Sequence, residues 1–230
     1  MVGTYVTTLA LQVLAVVVLQ ASATELGVLG GARWLPYLLF GLVAGVLVDR
    51  YRRLPILVGT DLARAGLLGL VPLLAAMGVL TMPLLIGIVA VFGALSLVYD
   101  AAHQSFLPRL VPAELLTDAN ARLEQTNSVA QAMGPMVAGW LVRVISAPVA
   151  ILVDALSYLG SGLVLARLSS PERPTREPMN LRAEIREGLA WVYRHPVLKT
   201  LALTTHVWFL FNGMVGTVAT YFALDELGLD

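Results

Sequence analysis

The 230-residue sequence has no cysteine, a single lysine, and only 13% charged residues. Without cysteine there is no disulfide framework, thiolate nucleophile, iron–sulfur cluster or zinc–thiolate site. The scarcity of charge excludes more. A soluble domain carries about a quarter charged residues and, at this length, still needs a largely polar shell. With 58% hydrophobic residues and a mean hydropathy of +0.80, the chain reads as one whose solvent is mostly lipid, not as a soluble enzyme. His103, His195 and His206 show no ligand spacing, so neither a metal nor another cofactor is expected. The lone lysine, Lys199, follows Pro196 and Leu198 instead of glycines, so there is no phosphate-cradling G-x-x-x-x-G-K-[ST] loop. Any transport must draw on an ion gradient or a separate ATPase chain. No nucleic-acid partner is expected.

What is present is a series of apolar runs. A hydrocarbon core about 30 Å thick needs roughly 20 apolar residues in a helix. Seven runs meet or approach that length: 2–20, 27–48, 56–77, 82–105, 120–142, 148–168 and about 198–224. The first lacks a basic leader region and a small-residue cleavage site, which favours a spanning helix over a signal peptide. Prolines 36, 72 and 135 fall inside runs, as spanning helices tolerate. Basic residues set an orientation, because short loops rich in Lys and Arg stay cytoplasmic. Arg50, Arg52 and Arg53 follow the second run, Arg109 the fourth, and seven residues from Arg167 to Lys199 the sixth, eleven against Arg143 alone on the other side. The amino terminus is therefore expected in the cytoplasm. The break after Leu168 opens with Ser169, Ser170 and Pro171, then places Leu181, Ile185, Leu189 and Val192 at helical spacing. An amphipathic helix along the cytoplasmic interface, ending at Pro196, is expected there; a solvated connector is the alternative.

A charge inside a spanning helix costs about 2.5–3.5 kcal/mol on insertion scales, so each one needs a partner or a wet cavity. Asp61 and Arg64 are three residues apart and share a helix face, which an intrahelical ion pair explains. Arg33 and Asp154 lie at the same depth, roughly 9 Å from the outer surface at 1.5 Å per residue. Either they pair, or Asp154 is a protonatable site open to the outside. Asp100 and His103 are one turn apart near the end of the fourth run; carboxylate and imidazole can exchange protons, and the plainer reading is an interfacial anchor. Glu124, Gln125, Asn127, Ser128 and Gln131 form a polar stretch that should face other helices or a watery path. Glu124, close to Arg122, is equally readable as structural.

Gly45-Val46-Leu47-Val48-Asp49-Arg50-Tyr51-Arg52-Arg53 resembles the G-x-L-x-D-R-x-G-R signature of the major facilitator superfamily, with Arg52 in place of glycine. The resemblance implies that Asp49 caps a helix of an opposing half and that Arg50, Arg52 and Arg53 pair with an acid at the end of the fourth helix, here Asp100. Residues 130–139, with Gly134, Pro135, Ala138 and Gly139, resemble the antiporter motif G-x-x-x-G-P-x-x-G-G, which implies a helix bend used in export. Ser105 to Pro112, Asp118-Ala119-Asn120 and Val153 to Ser157 look like the branch that includes the enterobactin exporter and bacterial drug-efflux proteins.

The expected fold is therefore an all-α integral membrane protein: a six-helix bundle over 1–168, a cytoplasmic linker over 169–197, and the first helix of a second half over 198–230. The family has twelve helices in two halves, so the chain reads as a leading half, a truncated product, or one part of a split pair with a separate C-terminal half. The expected function is proton-coupled export of small amphipathic cargo such as drugs or siderophores across the bacterial inner membrane. Asp154 and Asp61 are the proton-coupling candidates. The family places helices one and four along the cavity, which makes Thr4, Thr7, Thr8, Gln12 and Tyr99 cargo-facing candidates. The remaining alternatives are a fragment inactive by itself, and an intramembrane hydrolase using Ser161 and His206; the latter lacks the glycine two before the serine, where Leu159 stands.

Overall fold

A computed structural model describes residues 2–168, 181–205, 207 and 208. The chain divides into two units, Met1–Glu177 and Pro178–Asp230. The first consists of α1 (Val2–Val17), α2 (Ala23–Arg50), α3 (Arg53–Ala76), α4 (Met82–Leu110), a 3-10 turn at Ala113–Leu115, α5 (Leu116–Ile145) and α6 (Ala147–Leu165). All six apolar runs expected in this unit are helices. Four of them, α3 to α6, are long and apolar enough to cross a membrane, and α2 is a fifth when its two segments count as one span. At 16 residues, α1 reaches only about 24 Å.

The boundaries shift for local reasons. Ser22 closes a capping box with Glu25, its hydroxyl taking the Glu25 N–H at 3.3 Å while the Glu25 carboxylate takes the Ser22 N–H at 2.8 Å. This starts α2 four residues before its apolar run. Pro108 deletes one helical bond in the last turns of α4 without ending it. The helix runs to Leu110, five residues past the expected end, so Asp100 and His103 lie about 15 Å and 10 Å from its terminus.

The most extensive contacts pair α3 with α6 and α2 with α4, followed by α1 with α5, α3 with α4 and α1 with α6. Two apolar cores result. One gathers Leu14, Leu68, Val71, Leu85 and Ile151 at the end away from the arginine loops; the other gathers Val48, Leu54, Leu57, Ala102 and Phe106 beside them. Residues such as Leu38, 82% exposed, and Val164, 62% exposed, point outward, an apolar surface suited to lipid.

Small residues permit the close approaches. On α5, Ala130, Gly134 and Ala138 are buried at four-residue spacing, and a Cβ at Gly134 would overlap the Tyr5 ring of α1. One at Gly139 would only touch Leu9 at 4.0 Å. On α4, a Cβ at Gly93 would strike the Arg33 carbonyl of α2.

In the second unit α7 spans Leu181–Arg194, close to the expected amphipathic helix. A bend at His195 separates it from helical residues 196–205, whose start is capped by the Leu198 N–H donating to His195 Nδ1 at 3.5 Å. Most of the expected seventh span lies outside the described residues.

Overpacking a tight helix contact costs about 1–3 kcal/mol. Gly134→Val is therefore expected to lower the thermal unfolding midpoint in detergent, measured by intrinsic fluorescence, whereas Gly139→Ala leaves it within error of the parent protein.

Candidate functional site

Between the two apolar cores the helices carry a polar layer. Its centre is Asp61 on α3, 1% exposed, ion-paired with Arg64 one turn on. The intrahelical pair is as the spacing implies, but it is not isolated. Ser161 on α6 donates its hydroxyl to Asp61 Oδ2 at 2.6 Å. The Arg64 guanidinium lies over the Tyr99 ring of α4 at 4.1 Å and the Tyr158 ring of α6 at 4.5 Å. Three helices thus contribute to holding one buried ion pair. Cation–π contacts of this kind strengthen when desolvated.

Asp154, 3% exposed on α6, accepts the Thr7 hydroxyl of α1. Its carboxylate lies against Gly3, where any side chain would overlap it. The Arg33–Asp154 pairing suggested by equal depth does not form. Arg33 extends toward α1 and α4, donating from Nη1 to Thr8 Oγ1 at 2.8 Å and lying 5.6 Å from the Phe92 ring. Depth places two residues on one level; the direction each helix faces decides whether they meet.

Asp61, Arg64, Tyr99 and Asp154 line a single cavity of about 310 Å³, shared with Thr4, Asp100 and His103. Two proton-coupling candidates and two cargo-facing candidates therefore share one space. The other cargo-facing candidates do not join them. Thr7 is fully buried on Asp154; Thr8 is engaged by Arg33; Gln12 is exposed one turn further along the Thr8 face. Ser157, Tyr158 and Ser161 also line the cavity; the sequence reading takes Ser161 only as a hydrolase nucleophile and the other two as no part of a site, although with Asp154 they recur at three- and four-residue spacing on α6, a legible polar stripe.

The signature after α2 divides its work. Arg53, 1% exposed, folds back over the turn, donating from Nη2 to the Asp49 carboxylate at 3.1 Å and the Asp49 carbonyl at 3.0 Å, and from Nη1 to the Tyr51 carbonyl at 3.3 Å. Asp49 remains 67% exposed. Gly45, Asp49 and Asp100 line one groove of about 490 Å³ between α2 and α4. The hydrogen bond that Asp100 accepts there comes from Tyr37 Oη at 2.6 Å, not from the loop arginines that the family resemblance implies. Tyr37 gave no signal in the sequence: it stands in an apolar run, and only the packing of α2 on α4 brings it to Asp100. Gly134 and Ala138 are buried, Gly139 is half-buried, and Pro135 is exposed.

On α5, Glu124 and Asn127 line a groove of about 360 Å³ facing Asp100, His103 and Gln104 of α4, as a watery path requires. Gln125, Ser128 and Gln131 are exposed, in a helix whose most apolar window is only 17% buried. The hydrolase alternative gains nothing, since Ser161 donates to a carboxylate and His206 lies outside the described residues.

Breaking one partner out of a buried ion pair costs about 3–5 kcal/mol, because the other is left uncompensated. Asp61→Asn is expected to destabilise the protein on that scale, and adding Arg64→Gln to recover most of the loss. A double-mutant cycle on thermal unfolding measures the coupling, which additive losses would deny.

Comparison with known proteins agrees with this architecture. Multidrug efflux pump Tap of Mycobacterium tuberculosis (strain ATCC 25618 / H37Rv) is 29% identical over 197 residues, 80% of this chain and 46% of that protein. Macrolide efflux protein A of Streptococcus pyogenes is 28% identical over 174 residues, covering 74% and 43%, and that of Enterococcus faecalis is 27% identical, covering 74% and 54%. The chain spans about half the length of these relatives. No solved structure gives a significant match. The Major Facilitator Superfamily model matches residues 1–230, and the chain belongs to that superfamily of membrane transporters.

Proposed function

We propose that the chain forms the leading half of a secondary active transporter that exports small amphipathic compounds, drugs or siderophores among them, in exchange for entering protons. The supporting observation is the 310 Å³ cavity, where Asp61, Arg64 and Asp154 are brought together inside an otherwise apolar bundle. Buried ionisable groups in a membrane helix mark a pathway for ions or substrates. Transporters built from two such halves hold cargo near the midplane and rock one half against the other. The relatives, a multidrug efflux pump and macrolide efflux proteins, support the export direction and the cargo class.

In this reading Asp154 exchanges the proton. It is buried, and its bonded partner is the neutral Thr7 hydroxyl rather than a cation. Asp61 is held by Arg64 and Ser161 and keeps the cavity's shape. Asp49, exposed beside the arginine turn, is placed to meet the positive N-terminus of a helix in the opposing half. The half-buried Arg50, the exposed Arg52 and the buried Arg53 complete the switch with Asp100. The chain lies in the bacterial cell membrane with its amino terminus in the cytoplasm. A second reading, a half inactive until a separate C-terminal half completes it, rests on the coverage of about half of each relative.

Expressed as the complete reading frame in a bacterium lacking its own pumps, the protein is expected to raise macrolide tolerance at least fourfold, an effect abolished by an uncoupler. Asp154→Asn and Asp49→Asn should each remove that tolerance while membrane levels on immunoblots stay normal. Tolerance unchanged by either substitution contradicts the assigned roles. Tolerance that the uncoupler leaves intact contradicts proton coupling.

A further inference from the structure

Two of the cavities abut. The 310 Å³ cavity begins at Asp154 and is bounded by Asp100 and His103 on α4. The 360 Å³ groove between α4 and α5 begins at the same Asp100 and His103 and continues past Gln104 to Asn120 and Glu124. At about 30 Å³ per molecule, each space has room for about ten waters. Along α6 the first cavity runs from Asp154 to Ser161, seven residues or about 10 Å of helix axis. The second carries on along the last turns of α4, toward the end that bears the arginine loops. A polar route thus extends from the buried carboxylate to the loop end, and its common wall is a carboxylate and an imidazole one turn apart.

His103 is fixed in that wall. Its ring stacks on Tyr99 with centroids 5.8 Å apart and planes 13° from parallel. Tyr99 in turn carries the Arg64 guanidinium on its ring. The titratable and charged groups around His103 are Tyr99 and Asp100 on its own helix, Asp61 and Arg64 on α3, Asp154 and Tyr158 on α6, and Glu124 on α5. Tyr37 of α2 holds the Asp100 carboxylate from the far side. Carboxylates therefore face the imidazole across both spaces, a setting in which it can take a proton from one side and yield it to the other.

We propose that His103 is the proton exit of the bundle, passing protons from the Asp154 cavity to the Glu124 groove. This rests on the proton-coupled reading above. A proton leaves the Asp154 carboxyl O–H, crosses cavity water and is bound by one imidazole nitrogen. The other ring nitrogen gives up its proton to water in the α4–α5 groove, and no other bond changes. Glu124 and Asn127 order that water, and the Tyr99 stack keeps the ring spanning the two spaces.

The test uses two replacements in the complete reading frame, assayed in everted membrane vesicles. His103→Gln keeps polarity without a titrating group. His103→Phe keeps the ring stack on Tyr99 and cannot carry a proton. Macrolide-induced proton release is followed with an acridine dye between pH 5.5 and 8.5, and equilibrium macrolide binding is measured alongside. Both variants are expected to bind macrolide within twofold of the parent, to exchange protons at least tenfold more slowly, and to lose the parent's pH dependence. Native rate and pH profile in His103→Phe overturn the proposal, as does equal loss of binding and exchange in both variants, which would make the residue structural. If the parent itself shows no proton release although it transports macrolide, the coupled reading fails and this inference falls with it. Proton release in the parent with unaltered exchange in both variants removes this inference alone.

Discussion

A charge carried into a bilayer must bring its own solvation, and in this bundle the Asp61–Arg64 pair is where that requirement is met. Both residues are buried far from the outer loops, so most of their compensation has to be assembled from neighbouring helices. Ser161 supplies a hydroxyl to the carboxylate, and Tyr99 and Tyr158 supply ring faces to the guanidinium. This draws α3, α4 and α6 to a common point. The extensive α3–α6 contact and the separation of the apolar core into two ends follow from placing a polar layer between them. Asp154 adds the fourth helix, because its carboxylate can sit beside Thr7 only where Gly3 leaves room on α1.

The same layer gives the chain its capacity for function. An apolar bundle would be a stable membrane anchor and nothing more. Here a carboxylate whose bonded partner is a neutral hydroxyl lies beside an ion pair held from three helices, around one cavity. The compensated pair preserves the shape of the space, while protonation of the other carboxylate changes its charge. That division, one rigid pair and one variable acid, is what the proposed exchange of protons for cargo would need. The α2–α3 turn is organised on a similar principle, with Arg53 buried to close the turn and Asp49, its ion-pair partner, left exposed.

Much of this was legible in the sequence. Six apolar runs gave six helices because hydrophobic length is the strongest signal a membrane chain carries. The Asp61–Arg64 spacing and the small residues around Gly134 gave their contacts because both are fixed by helical periodicity. What escaped was directional or long-range. Arg33 and Asp154 share a depth, yet α2 turns Arg33 toward Thr8 and Phe92. Tyr37 meets Asp100 across 63 positions of sequence, and nothing local to either residue announces it. The family resemblance makes Thr7 a cavity-facing candidate, yet it is buried against Asp154 because α1 lies flush on α6 at Gly3. The apolar run ends at residue 105, but α4 continues to Leu110 because a helix can extend past its apolar stretch and Pro108 in the last turns does not end it.

The central claim is that a hydrated polar layer lies inside a lipid-embedded bundle, and the absence of native cysteine makes it directly measurable. Single replacements Ser157→Cys, in the cavity wall, and Leu163→Cys, on the exposed apolar face of the same helix, can be treated with a small water-soluble thiol reagent in intact membranes. Because only the thiolate reacts and it forms only in water, the account predicts rapid modification at position 157 and almost none at 163. Equal protection at both positions, or equal reaction at both, would contradict it.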